Sequence, residues 1–116
     1  MVMPLLFPED FIAGHPELRQ FMAAALKMAP PPAREVLERT RTGALEFDAY
    51  DRLPEIRCPV LIVHGDKDVL VPAENASLIR NRIPQAELLM IPGAGHSFGA
   101  VDPVGTHQRI TQWLKA

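Results

Sequence analysis

The stretch Val60-Leu61-Ile62-Val63-His64-Gly65-Asp66-Lys67-Asp68-Val69-Leu70-Val71-Pro72 decides how this chain is read. Its first four residues are a continuous apolar run rich in β-branched side chains, the pattern of a strand buried on both faces. Gly65 breaks the run, and two carboxylates, Asp66 and Asp68, follow at once. Pro72 through Arg82 suits a helix with proline first, and Ala76, Ile79 and Ile83 share one side. A second apolar run, Leu88-Leu89-Met90-Ile91, leads into Pro92-Gly93-Ala94-Gly95-His96. Asp102-Pro103 reads as a helix cap with its first helical residue, and Val104, His107, Ile110, Trp113 and Leu114 line the helix that follows. Strand, helix, strand, helix is one βαβ unit with a trailing helix, so the fold class is α/β. A parallel strand pair with a right-handed crossover is expected.

Upstream of Arg57-Cys58-Pro59 the composition shifts to short helices. His15-Pro16 resembles a cap followed by a first-turn proline, and Leu18, Phe21, Met22, Ala25, Leu26 and Ala29 recur at helical spacing. Pro30-Pro31-Pro32 ends that helix and starts the next, where Val36 and Leu37 are apolar and Gly43 is the expected stop. A short turn around Phe47 and Tyr50 leads into Leu53-Pro54-Glu55-Ile56. Met22, Met28 and Met90 fall on apolar faces and read as core.

The bulk properties exclude several classes. With 47% hydrophobic and 22% charged residues in 116, the chain is globular rather than disordered. A net charge of -2 leaves no electrostatic footprint for nucleic acid, and no basic run suits an acidic membrane surface. Met1 to Pro8 is apolar but too short and proline-broken for a signal peptide, and no run nears the ~20 apolar residues of a membrane span. Cys58 is the single cysteine and has no internal partner, which favours a reducing compartment. The expectation is a cytoplasmic protein that binds neither nucleic acid nor membrane. Four scattered histidines and one cysteine show no metal-ligand spacing, so neither metal nor cofactor is expected.

Catalytic groups of open α/β sheets gather beyond the carboxyl ends of the strands. Asp66, Asp68 and His96 all follow strand ends, and adjacent parallel strands would bring them to one edge. A carboxylate there holds an imidazole in one tautomer and stabilises it when protonated. Asp66 and Asp68 fit equally well as caps of the turn they begin. Spacing leaves both readings open.

The segment from Val60 to Pro72 resembles the acid-bearing segment of α/β-hydrolases: an apolar strand, Gly, Asp or Glu, any residue, Asp, and a proline four residues on. Ala86 to His96 is similar to the family's final strand and histidine loop, and Leu53 to Pro59 to its lead-in. Asp102-Pro103 and the closing helix ending in Trp113-Leu114 match what usually follows. The resemblance covers Leu53 to Lys115 with its motifs in register. It implies a partial α/β-hydrolase fold, with residues 53–116 as the C-terminal βαβα part of the core and residues 1–52 as a helical cap-like segment. The chain is similar to lactonases of the 3-oxoadipate enol-lactonase type and to small esterases. Their chemistry implies Ser-His-Asp acyl transfer on carboxylic esters or lactones, with Asp68 as triad acid, His96 as general base, Asp66 as a turn former and no cofactor.

The nucleophile has no convincing position. Gly95-His96-Ser97-Phe98-Gly99 matches Gly-x-Ser-x-Gly in letters, and His64-Gly65 matches the His-Gly of an oxyanion loop. An elbow turns directly from strand to helix, whereas Pro92-Gly93-Ala94 intervenes here, and Gly99 and Pro103 would break a helix begun at Ser97. Ser77 falls mid-helix. Cys58 precedes a strand instead of following one and reads as buried packing. The expectation is a C-terminal hydrolase segment, inactive alone, whose serine comes from outside these residues. Two parallel strands also leave edges free to recruit another chain, either an N-terminal hydrolase half or a second copy. The alternatives are a non-catalytic association module and a minimal esterase built on Ser97.

Overall fold

The protein is described by a computed structural model covering residues 3–29 and 32–116. Four helices come first: α1 (Met3–Leu6), α2 (Glu9–Gly14), α3 (Pro16–Met28) and α4 (Arg34–Glu46). A 3-10 turn at Tyr50–Glu55 leads to β1 (Val60–Gly65), α5 (Glu74–Arg82), β2 (Ala86–Ile91) and α6 (Pro103–Lys115). The strands pair in parallel, from Val60 opposite Ala86 to Gly65 opposite Ile91. Both therefore end at the same level, and the loops carrying Asp68 and His96 leave the sheet side by side.

Each element follows from local chemistry. Pro16 occupies the first turn of α3, where its missing N–H is no loss. Asp102 caps α6 by accepting the N–H of Gly105 at 2.9 Å, so the Asp-Pro reading holds. Ala76 on α5 and Ile83 just after its end are 1% and 2% exposed and seal α5 into the fold. Trp113 Nε1 donates to Glu87 Oε1 at 2.7 Å, which ties α6 to β2. Gln85 Nε2 donates to the Ile56 carbonyl at 2.8 Å and anchors the lead-in to β1.

A second cluster forms where the first helices fold back. Met3, Phe7 and Ile12 are buried, with Leu6, Phe11, Leu18, Met22 and Ala100 packed around them. Ala100 belongs to the 3-10 turn Phe98–Ala100, so this cluster sits against the histidine loop. The Ser97 N–H donates to the Leu6 carbonyl at 2.9 Å and joins the two.

Much apolar surface stays uncovered. Leu61, Ile62 and Val63 of β1 are only half-buried, unlike strands of a complete parallel sheet. Neither α3 nor α4 buries a residue among those described. The accessible surface is 8791 Å², about 2500 Å² more than the roughly 6300 Å² of a compact monomer of 12.9 kDa. Among the described residues, no helix is long and apolar enough to cross a membrane.

Four sequence expectations are corrected. α4 runs through Gly43 to Glu46, because one interior glycine weakens a helix by only about 1 kcal/mol relative to alanine. α5 starts at Glu74, after Pro72. Cys58 is exposed rather than packed. Met28 is 85% exposed at the end of α3, whereas Met22 does pack. The expected break at Pro30-Pro31 lies outside the described residues, as does the start of the Met1–Pro8 stretch.

Candidate active site

Gly65 closes β1 where only glycine fits. A Cβ there would overlap the carbonyl oxygens of Ala94 and Gly95, so the two strand-exit loops run in direct backbone contact. The Lys67 N–H donates to the Ala94 carbonyl at 2.8 Å, and the Asp66 N–H donates to the Ile91 carbonyl at 3.3 Å. Asp66 Oδ1 accepts the Gly93 N–H at 2.7 Å. Gly93 has φ 74°, the left-handed region that disfavours other residues. Asp66 thus fastens one loop to the other.

Asp68 uses both of its oxygens. Oδ1 accepts the N–H groups of Leu70 and Val71, each at 2.9 Å, which makes it the turn former that spacing allowed. Oδ2 lies 2.9 Å from His96 Nδ1. Asp68 therefore both closes its own turn and contacts the His96 ring. Its side chain is 4% exposed and that of His96 41%, a buried carboxylate beneath an accessible ring. Burial pushes the Asp68 carboxyl up, but the hydrogen bonds from Val71, His96 and Leu70 outweigh it and hold the group below the ordinary carboxylate range. A carboxylate oxygen accepts, so His96 Nδ1 carries the proton and Nε2 of the neutral ring keeps its lone pair. Such a ring can take a proton at Nε2 while its orientation is held from Nδ1.

Two neighbours escaped the sequence reading. With Gly65, His64 matches the His-Gly of an oxyanion loop in letters, yet its Nε2 lies 3.9 Å from Asp68 Oδ2. The four-residue spacing from His64 to Asp68 was visible, but it implied proximity only once the chain turned at Gly65. Lys67 Nζ donates to Asp10 Oδ2 at 2.8 Å, a contact across fifty-seven positions that no local pattern signals. The pair raises the Lys67 ammonium and lowers the Asp10 carboxyl from their usual values.

Ser97 follows the paired histidine directly and leads into the single turn Phe98–Ala100. Its φ of −84° lies outside the left-handed region, and it enters a 3-10 turn instead of a long helix as a nucleophile elbow does. Ser77 lies inside α5. Among the described residues, no three His, Cys, Asp or Glu side chains group closely enough to hold a metal ion. A hollow of about 400 Å³ lined by Phe47, Ala49, Arg52, Leu53, Glu55 and Ile56 contains neither Asp68 nor His96, and so does not serve this pair.

Known proteins share the fold of this chain. A profile described as alpha/beta hydrolase fold matches residues 11–103. A protein of Caulobacter sp. (strain K31) assigned as carbamate hydrolase RutD is 32% identical over 94% of this chain and 40% of its own length. A Stutzerimonas stutzeri (strain A1501) protein with the same assignment is 33% identical over 94% of this chain and 41% of its own length. Among solved structures, a thermophilic esterase from Thermogutta terrifontis superposes with a TM-score of 0.79 at 31% identity, covering 97% of this chain and 40% of that one. The chain thus spans about 40% of the length of the relatives it matches. With the profile covering most of its residues and the strands, loops and acid–histidine pair in place, the chain belongs to the α/β-hydrolase fold family, of which it represents part of the fold.

Proposed function

We propose that residues 1–116 supply the acid and base of a Ser-His-Asp acyl-transfer site for carboxylic esters or lactones, with the serine contributed by residues outside this sequence. One observation carries the reading: the buried Asp68 carboxylate meets His96 Nδ1 at 2.9 Å, while Nε2 is left free to act. His96 Nε2 takes the serine proton as the hydroxyl attacks the acyl carbon. Asp68 stabilises the resulting imidazolium without itself taking the proton. The proton then passes from Nε2 to the departing alkoxide as the C–O bond breaks, and water repeats the sequence to release the acid. The name of the Thermogutta relative supports an ester substrate. The names of the RutD relatives extend the same steps to a carbamate, with nitrogen as the protonated leaving atom.

Alone, this chain is proposed to be inactive. A triad without its serine loses about 10⁶ in turnover, and the position of Ser97 before a single 3-10 turn instead of a helix argues against its filling the gap. The uncovered strand edges and about 2500 Å² of excess surface support association with a complementing hydrolase segment. The same surface favours the second reading, a non-catalytic module that pairs with its own copy. A cytoplasmic setting is part of the proposal, supported by the exposed free thiol of Cys58.

The test combines the 116-residue chain with the N-terminal segment of the Thermogutta esterase, following p-nitrophenyl acetate hydrolysis and fluorophosphonate labelling. The chain alone should give neither turnover nor label, and the combination should give turnover that disappears in His96→Ala. Labelling of Ser97 in the isolated chain, with turnover abolished by Ser97→Ala, would overturn the reading. A self-associated chain that no complementing segment activates would favour the association module.

A further inference from the structure

His64 stands beside the acid–base pair and has no part in the steps derived above. Its side chain is 13% exposed, and its Nε2 lies 3.9 Å from Asp68 Oδ2, the oxygen that His96 Nδ1 meets at 2.9 Å. On its other side, His64 Nδ1 lies 2.9 Å from the Gly65 carbonyl oxygen. A carbonyl only accepts, so Nδ1 carries a proton and Nε2 of the neutral ring is bare. A bare nitrogen makes no demand on Oδ2, and the His96 N–H has that oxygen to itself.

A proton on Nε2 reverses this relation. The nitrogen becomes a cationic donor roughly one ångström beyond a charge-assisted hydrogen bond to the same oxygen. The other charged groups at this corner are engaged elsewhere: Asp66 accepts from Gly93, and Lys67 is held by Asp10. The residue opposite His64 in the sheet is Met90, which is uncharged.

We infer that His64 is a positioning residue acting through Asp68: neutral, it leaves Oδ2 to His96, and protonated, it draws that oxygen away and weakens the His96–Asp68 hydrogen bond. The inference rests on reading Asp68 and His96 as the acid–base pair.

The experiment is NMR of the ¹⁵N-labelled 116-residue chain, following the tautomer of His64 and the low-field Nδ1 proton of His96 as pH is lowered. At neutral pH, His64 should carry its proton on Nδ1. The His96 resonance should then fade in step with protonation of His64. In His64→Phe, which keeps an aromatic ring but lacks Nε2, fading should move to lower pH, because no cation then competes for Asp68 Oδ2. Neutral His64 protonated at Nε2 would overturn the proposal, as would identical fading in both proteins. The tautomer is read in the unaltered chain, so the test stands even if His64→Phe fails to fold. Neither readout depends on turnover, so this inference and the hydrolase reading fail separately.

Discussion

Asp66 Oδ1 accepts the backbone N–H of Gly93 at 2.7 Å, which binds the loop bearing Asp68 to the loop bearing His96. The two loops leave neighbouring strands, and backbone bonds from Lys67 and Asp66 reinforce the junction. Asp66→Ala should therefore lower stability by about 1 kcal/mol, the net worth of one such bond. Urea denaturation measures that loss. Faster solvent exchange of the His96 Nδ1 proton in the same variant would show that the junction also steadies the pair.

Gly65 and Gly93 are required for different reasons, and substitution separates them. Alanine at Gly65 would drive its Cβ into two backbone carbonyls that cannot rotate away, so Gly65→Ala should destabilise by about 1–3 kcal/mol and displace the histidine loop. Alanine at Gly93 meets open space, and only its φ of 74° is unfavourable. Gly93→Ala should lose about 1–2 kcal/mol, and Gly93→Asn less, because asparagine tolerates that region better. Equal losses for alanine and asparagine at Gly93 would contradict the conformational account.

Asp68 links folding to pH. Its carboxyl titrates lower in the folded chain than in the unfolded one. Its contribution is therefore complete above the unfolded value of about 3.9 and fades as pH falls from there through the folded value. Stability measured by urea from pH 6 to pH 3 should decline below about pH 4. The decline should be shallower in Asp68→Asn, which no longer carries the group that titrates. Parallel curves for the two proteins would assign the decline to other carboxylates.

In the complemented enzyme, Asp68→Asn should lower kcat by about 10⁴ while substrate binding changes little, since the amide no longer enforces the productive His96 tautomer. Asp66→Asn should leave kcat within a few fold, because Asp66 touches the Gly93 backbone and not the ring. A comparable collapse in both variants would mean that loop order, rather than the Asp68–His96 contact, limits turnover.

The strands, the closing helix and its Asp102 cap were legible because each rests on a short-range rule. Apolar β-branched runs make buried strands, and an Asp-Pro pair opens a helix. The extent of α4 was not legible, because an interior glycine weakens a helix without ending it. The position of Cys58 depended on whether anything covers the entry to β1, which no local pattern states. Between Asp66 and Asp68 the spacing was silent, since both stand at a turn and both accept backbone N–H groups.

The sequence by itself determined that two apolar parallel strands would end together and deliver carboxylates and an imidazole to one edge, because strand patterning and turn chemistry act over a few residues. Only the tertiary structure decided which carboxylate meets His96 and brought His64 to the same oxygen. It also bound Leu6 to Ser97 and Asp10 to Lys67. These relations depend on how two loops and a distant helix pack around Gly65, and packing is settled by steric fit among residues far apart in the chain.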